Sequence, residues 1–220
     1  MLVAGVDEAG RGCVIGPLVI AGVLFKEENM PVLTRLGVKD SKLLSPKKRE
    51  ALAVEIARLA EKHIVMRLSP MEIDRAVESG RKLHKLNRLE AQAMAMIIEA
   101  LKPDEAYVDA ADVLEERFKH HIQEGLSFKA KIISKHKADR TYPVVSAASI
   151  IAKVERDKEI AALTGEYGDF GSGYLTDPKT MKFLKQWLQT HGEYPDCVRK
   201  SWKPARQAKN EKGTVQKKLA

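Results

Sequence analysis

Strand-like and helix-like segments alternate along this chain. Residues 2–6 and 18–25 are short runs rich in Val, Ile and Leu, whereas residues 83–101 repeat apolar side chains at helical spacing before Pro103. Alternation of this kind is typical of the α/β class, in which helices cover the faces of a sheet. A short glycine-rich segment joins the first two strand segments, so we expect them to be neighbours in a mixed rather than a purely parallel sheet.

The composition excludes several classes of protein. Of the 220 residues, 44% are hydrophobic and 31% are charged, which fits a soluble globular protein rather than a disordered chain. Two distant cysteines, Cys13 and Cys197, exclude a disulfide scaffold and a zinc site built on paired cysteines. The longest apolar run, residues 17–25, is shorter than the roughly 20 residues of a membrane-spanning helix. We expect a cytoplasmic protein without a membrane partner, and a monomer.

The positive charge is concentrated at one end of the chain. The formal net charge is +8, and residues 199–220 contain eight Lys and Arg side chains against one acid, so the preceding residues are nearly neutral. We expect this basic tail to add sequence-independent, salt-dependent affinity for a polyanion. In the remainder, the densest cluster of cations is at residues 129–140, where Asp139 is the single acid.

Three aspartates occur where an apolar strand segment ends or a basic loop begins: Asp7, Asp109 and Asp139. In α/β sheets, ligands bind at strand ends, and carboxylates gathered there repel one another unless a cation neutralises them. Oxygen ligands suit Mg²⁺ or Mn²⁺, and Glu8 could supply a fourth carboxylate for two-metal phosphodiester hydrolysis. The alternative is that each acid only caps the next helix or stabilises a turn.

Two further segments offer groups that could bind a nucleic acid. The glycines of Gly10-Arg11-Gly12 would let main-chain amides approach a sugar or phosphate closely, and Arg11 adds a guanidinium fork. Lys42, in Asp40-Ser41-Lys42, could bind a phosphate. The alternatives are an ordinary tight turn between strands and a solvated surface loop.

These segments belong to a set of five ordered motifs that resembles the type 2 ribonucleases H, the ribonuclease HII family. The motifs are DEAGRG at 7–12, DSKL at 40–43, YVDA at 107–110, KAD at 137–139 with YPVVSAASIIAK at 142–153, and GSGY at 171–174 followed by Asp177-Pro178. The resemblance covers about residues 2–200, and the last motif is similar to the archaeal form.

The resemblance implies a ribonuclease H-like mixed β-sheet flanked by helices, with a helical C-terminal region. The expected divisions are a catalytic domain at 1–165, a helical substrate-binding region at 166–200 and a basic tail, which could be disordered, at 201–220.

It also implies a metal-dependent endoribonuclease that needs two Mg²⁺ or Mn²⁺ ions. Such an enzyme cleaves the RNA strand of RNA–DNA hybrids and the 5′ side of ribonucleotides embedded in duplex DNA, leaving 3′-hydroxyl and 5′-phosphate ends. By position, the catalytic and metal-binding carboxylates would be Asp7, Glu8, Asp109 and Asp139. The substrate-binding residues would be Gly10, Arg11, Gly12 and Tyr174, which read the 2′-hydroxyl, together with Lys42.

Two other functions remain open from the sequence. Transposases and Holliday-junction nucleases share the fold and an acidic metal site, but would not need the GRG turn and Tyr174 together. A non-enzymatic nucleic-acid-binding module could act through the basic tail alone. A sliding-clamp partner is a further possibility, although Gln216 and Leu219 supply only the opening of the clamp-binding motif, and the paired aromatic residues that complete it are missing.

Overall fold

The structure is a computed structural model that describes residues 1–38, 44–79, 85–203 and 205–206. The strands are β1 (Leu2–Ala9), β2 (Leu18–Lys26), β3 (Lys62–Leu68), β4 (Glu105–Asp109) and β5 (Lys131–Lys135). The helices are α1 (Met30–Arg35), α2 (Pro46–Leu59), α3 (Pro70–Glu78), α4 (Lys85–Leu101), α5 (Glu115–Gln123), α6 (Ala138–Thr141), α7 (Pro143–Tyr167) and α8 (Pro178–His191).

The five strands form one mixed sheet, which confirms the prediction from sequence. Their order is β3-β2-β1-β4-β5. β1 pairs antiparallel with β2 and parallel with β4, and β4 pairs parallel with β5. The carboxyl ends of β1, β4 and β5 therefore point the same way, and this arrangement brings the ends of β1 and β4 side by side.

Helices pack on both faces of this sheet. Consecutive residues of a strand face opposite sides, so Gly5 and Val6 of β1 face different layers. A Cβ on Gly5 would meet the main chain of α7 at Val144. Gly22, the cross-strand partner of Val6, lies instead against Ile97 of α4. In both places a glycine lets a helix approach the sheet closely.

Serine–proline pairs begin two of the helices. Ser45 precedes α2, and its hydroxyl accepts a hydrogen bond from the Lys48 N–H at 3.3 Å. Ser69 precedes α3 and forms a reciprocal capping box with Glu72. The serine side chains satisfy main-chain donors that the first turn leaves unpaired, and the following proline has the backbone φ that a helix requires.

The chain divides into two compact units. The first contains residues 1–9, 19–67 and 81–156, and includes most of the sheet. The second contains residues 10–18, 68–80 and 157–220, so α7 contributes to both. The predicted division at residue 165 falls inside α7 and stays a prediction. Two residues of the predicted tail, Ser201 and Ala205, are buried, so packed structure extends past residue 200.

The second unit has its own apolar core. Val14 and Ile15, from the segment between β1 and β2, are buried together with Phe170 and with Leu184 and Leu188 of α8. Aromatic rings extend this core, because Trp187 lies 5.4 Å from Phe183, 5.6 Å from Tyr167 and 4.1 Å from His191 between ring centroids. In the described part of the chain, no helix is both long and apolar enough to cross a membrane.

Candidate active site

The first two acids lie within a strand rather than after it. The sequence predicts that the first strand ends at Val6, because Asp and Glu are uncommon in strands. The structure continues β1 to Ala9, with Asp7 paired to Ala21 and Glu8 to Ile20. The prediction was wrong because β2 supplies main-chain partners along this whole segment, and that pairing outweighs the weak strand preference of the two acids.

The parallel pairing of β1 with β4 places Asp7 beside Asp109. Val6 pairs with Val108, and each of the two aspartates is the next residue on its strand. Asp109 is the last residue of β4, as predicted. The register of two adjacent parallel strands thus brings together carboxylates that are about a hundred positions apart in the chain.

Burial and neighbouring negative charge perturb the carboxyl group of Asp7. The residue is only 4% exposed, and burial raises the pKa of its carboxyl well above the ordinary value of 3.8. The negative charges of Glu8 and Asp109 raise this pKa further. Hydrogen bonds from the Ser149 side chain and from the Glu8 N–H, at 2.7 Å to Oδ1, act in the opposite direction without cancelling the increase.

A main-chain contact connects Asp109 to the segment that carries Asp139. The N–H of Ala138 donates to Asp109 Oδ1 at 2.9 Å, and Asp139 is the next residue, buried in the four-residue helix α6. Lys137, which precedes them, has a left-handed backbone with φ of 56°. The sequence predicts Asp139 in a basic loop, but a helix of four residues is too short to give a periodic signal.

The chemistry of this acidic group fits a hard divalent cation. All the donors are carboxylate oxygens, and the repulsion that raises the pKa of Asp7 is the kind that a bound cation relieves. Asp7 and Glu8 are consecutive strand residues, so their side chains leave β1 on opposite faces. Within the described ranges, no three His, Cys, Asp or Glu side chains are gathered closely enough to hold a metal ion.

The GRG residues begin a turn, residues 10–16, that we call the glycine turn. Gly10 has φ of 87°, a conformation that residues with a Cβ rarely adopt. The N–H groups of Val14 and Ile15 donate to the Gly173 carbonyl at 2.9 and 3.2 Å. The main chain of Cys13 forms an isolated antiparallel β-bridge with that of Tyr174. A Cβ on Gly12 would lie 3.9 Å from the Tyr174 ring. Two predicted substrate-binding residues, Gly12 and Tyr174, are thus brought together.

The segment that carries Tyr174 is held from α8. Asp177, the N-cap of α8, accepts hydrogen bonds from the N–H of Ser172 at 2.7 Å and of Lys179 at 2.9 Å. The buried hydroxyl of Thr180 accepts from the Gly173 N–H at 3.1 Å and donates to the Phe170 carbonyl at 2.8 Å. The position of Tyr174 is therefore fixed by residues on both sides of it.

Arg199 is a residue of this region that sequence reasoning assigns wrongly. Its position places it among the cations of the basic tail, but its side chain is fully buried. Its guanidinium donates to three carbonyls of the glycine turn, those of Gly10, Arg11 and Gly16. The one available signal is the apolar character of its neighbours Cys197, Val198 and Trp202, which differs from the polar sequence farther on.

The basic cluster at residues 129–140 is partly neutralised. Lys131 pairs with Glu105, and Lys135 pairs with Glu115, each at 2.8 Å. Both acids come from other elements, so the sequence alone does not show the pairing. Lys42 and the rest of the DSKL motif lie outside the described residues.

Known proteins are similar to this chain in sequence. The family model described as ribonuclease HII matches residues 4–205 of this chain. A ribonuclease HII from Pyrococcus abyssi is 49% identical to it over 208 residues, which cover 94% of this chain and 90% of that protein. The chain belongs to the ribonuclease HII family.

Solved structures of similar proteins have the same fold as this chain. The ribonuclease H2 of Pyrococcus horikoshii OT3 has a TM-score of 0.88 at 45% identity, covering 96% of this chain and 98% of that one. The RNase HII of Archaeoglobus fulgidus, solved in a complex with PCNA, has a TM-score of 0.83 at 46% identity, covering 92% and 96%. As a ribonuclease HII family member, the chain is a ribonuclease H endonuclease that acts on RNA–DNA hybrids, and the alternative functions left open by the sequence are set aside.

Proposed function

We propose that this chain is a divalent-metal-dependent endonuclease that also cleaves on the 5′ side of single ribonucleotides embedded in duplex DNA. Divalent-metal dependence is a property of the ribonuclease H family. The observation that carries the proposal for this chain is the buried carboxylate of Asp7 beside Asp109, on two adjacent parallel strands. Such a concentration of negative charge is costly in a folded protein unless a cation or a proton compensates it.

The proposed metal ligands are Asp7, Glu8, Asp109 and Asp139, which would hold two Mg²⁺ or Mn²⁺ ions. When bound, these ions would lower the pKa of the attacking water and stabilise the leaving oxygen of the phosphodiester. The protein's contribution is to orient the carboxylates. Ser149 and the Glu8 N–H hydrogen-bond to Asp7, and the Ala138 N–H does the same for Asp109.

The proposed reader of the ribonucleotide consists of Gly10, Arg11, Gly12 and Tyr174. The 2′-hydroxyl is the group that distinguishes RNA from DNA at a given sugar. Main-chain amides of the glycine turn would hydrogen-bond to it, and the Tyr174 ring, close to Gly12, would pack on the sugar. Lys42 is proposed to bind a phosphate.

Product mapping tests the proposed cleavage directly. A duplex with one ribonucleotide in one DNA strand is labelled at both ends of that strand and incubated with the protein, with a chelator or with Mg²⁺ or Mn²⁺. We expect one cut on the 5′ side of the ribonucleotide, in the presence of metal only, with 3′-hydroxyl and 5′-phosphate ends. Cleavage in the chelator, or on the 3′ side of the ribonucleotide, would contradict the proposal.

Tyr174→Ala is expected to separate the two substrates. A single-ribonucleotide duplex presents one 2′-hydroxyl, so loss of the ring should reduce its cleavage about 10- to 100-fold, equivalent to about 1–3 kcal/mol. A uniform hybrid presents a 2′-hydroxyl at every RNA position and should lose much less. Tyr174→Phe, which keeps the ring, measures the part due to the hydroxyl. An equal small loss on both substrates would argue against a reading role.

The proposed partners follow from the substrate and from one relative. RNA–DNA hybrids and ribonucleotide-containing duplex DNA are the proposed nucleic acids, bound by a monomer in the cytoplasm. The sliding clamp is a candidate partner because a similar protein from Archaeoglobus fulgidus was solved with PCNA. Gln216 and Leu219, which would begin the clamp-binding motif, lie outside the described residues.

A further inference from the structure

The guanidinium of Arg199 is buried against main-chain oxygens of the glycine turn. Nε donates to the Gly16 carbonyl at 3.1 Å, Nη1 to that of Arg11 at 2.8 Å and Nη2 to that of Gly10 at 2.7 Å. The side chain has no exposed surface. Burying a cation is costly unless polar groups compensate it. The three carbonyl oxygens compensate the buried charge of Arg199, and its N–H groups in turn satisfy those carbonyls as hydrogen-bond acceptors.

The backbone around Arg199 is also fixed. Its own N–H donates to the Val14 carbonyl at 2.8 Å, and the preceding residue, Val198, forms a bridge with Ile15. On its other side, the Trp202 ring centroid lies 5.0 Å from the guanidinium carbon. The donor atoms are therefore held in place from the main chain and from a ring face, which reduces the freedom of a long side chain.

The direction of two carbonyls determines the direction of two amides. In a trans peptide the C=O and the N–H of the same plane point in opposite directions, and the described residues contain no cis peptide. The Gly10 carbonyl shares its plane with the Arg11 N–H, and the Arg11 carbonyl shares its plane with the Gly12 N–H. The Gly10 and Arg11 carbonyls point toward the Arg199 guanidinium, so the Arg11 and Gly12 N–H groups point away from it. Gly12 is exposed.

From this geometry we infer that Arg199 is a positioning residue for recognition of the ribonucleotide. It sets the orientation of the Arg11 and Gly12 amides, and so determines how well the glycine turn selects a single 2′-hydroxyl. The inference rests on the proposed function, since it assumes that the Arg11 and Gly12 amides hydrogen-bond to the 2′-hydroxyl of the substrate. Lysine could keep the charge but has no planar fork that serves three separate carbonyls at once.

The test compares Arg199→Met and Arg199→Lys with the unsubstituted protein on two substrates. For Arg199→Met we expect kcat/KM on the single-ribonucleotide duplex to fall about 10- to 100-fold more than on a uniform hybrid, because a small misplacement of a positioning group has effects of this size. Arg199→Lys should recover part of the difference. Should Arg199→Met fail to fold, Arg199→Lys alone must show a preferential loss on the single-ribonucleotide duplex.

A matched control separates positioning from loss of stability. Leu184 is buried in the same apolar core of the second unit as Val14 and Ile15, and it is not one of the three residues whose carbonyls accept hydrogen bonds from the Arg199 guanidinium. Leu184→Ala should lower the midpoint of thermal unfolding and reduce cleavage of both substrates by the same factor. If Leu184→Ala reproduces the substrate preference of the Arg199 variants, the inference is wrong.

Amide resonances of the substrate-free protein provide a second readout. In ¹H–¹⁵N spectra, both Arg199 variants should shift the Arg11 and Gly12 amides, whatever the substrate. Unchanged amide resonances would overturn the positioning role even if activity fell. Shifted amides with an unchanged ratio of kcat/KM between the two substrates would instead show that the turn does not read the 2′-hydroxyl, and that part of the proposed function would fail together with the inference.

Discussion

Asp7→Asn is expected to lower hybrid cleavage at least about 100-fold while making the metal-free protein more stable. A neutral amide would be a weaker ligand for a hard divalent cation than the carboxylate that it replaces. It keeps an oxygen that can accept the Glu8 N–H, and it removes a buried charge that lies near Glu8 and Asp109. In a chelator, the free energy of unfolding should therefore rise, by on the order of 1 kcal/mol.

The stability difference should depend on pH in a defined direction. Burial and the two neighbouring acids raise the pKa of Asp7 in the folded state above the ordinary value of 3.8. A carboxyl with a raised folded-state pKa contributes full stability below its unfolded-state pKa and loses it as the pH rises through the folded-state pKa. The amide of the Asp7→Asn variant does not titrate, so the unfolding midpoints of the two proteins should differ least below about pH 4 and diverge as the pH rises.

Asp104→Asn is the matched control for this substitution. Asp104 lies just before the start of β4, at the opposite end of that strand from Asp109, and accepts the Leu2 N–H at 2.7 Å. The same acid-to-amide change there should leave cleavage unchanged. Asp109→Asn should be inactive like Asp7→Asn. Near-normal turnover by both active-site variants in excess Mn²⁺ would refute the assignment, and a lower unfolding midpoint for Asp7→Asn would favour the capping role that the sequence left open.

Gly5→Ala is expected to cost about 3 kcal/mol of folding free energy or more. A Cβ on Gly5 would lie 2.7 Å from the Val145 nitrogen and closer still to the Val144 carbonyl. These are main-chain atoms, so α7 would have to move away from β1. Ser149 lies on the same helix and hydrogen-bonds to Asp7, so the shift should also reduce cleavage.

Gly165→Ala provides the comparison for Gly5→Ala. Gly165 lies in the last part of α7, and a Cβ there would meet no atom within 4 Å beyond its neighbours and the backbone of its own helix. Alanine favours helix over glycine, so this variant should be neutral or more stable by up to about 1 kcal/mol. Denaturant unfolding of the two variants measures the difference. If Gly5→Ala unfolds at the same denaturant concentration as the unsubstituted protein, the close approach of α7 to β1 does not constrain the fold.

Local pattern was enough to predict much of the fold. The apolar segments at residues 2–6 and 18–25 correspond to β1 and β2, and the helical spacing at residues 83–101 corresponds to α4. The features that could not be predicted depend on pairing with other segments of the chain or are too short to show a pattern. β1 continues through Asp7 and Glu8 because β2 pairs with them, and α6 is too short for any periodicity to show.

The candidate site divides in the same way. The sequence motifs identify Asp7, Asp109 and Tyr174 as candidates, but the proximity of the two acids follows from the register of parallel strands. Sequence reasoning misses the role of Arg199 because this residue begins a segment rich in Lys and Arg, and nothing in that local composition distinguishes it from the other cations of the basic tail. Its partners are 183 to 189 residues away in sequence, a separation that no local pattern reports.

That separation also sets an order of events during synthesis of the chain. β1, the glycine turn and β2 leave the ribosome together, and their pairing is local, so this hairpin can form early. Arg199, whose guanidinium donates hydrogen bonds to the carbonyls of the glycine turn, is translated at least 183 residues after the turn. A nascent chain therefore contains all four proposed catalytic acids well before Arg199 is available to orient the turn. We expect selectivity for a single ribonucleotide to be among the last properties that the folding protein acquires.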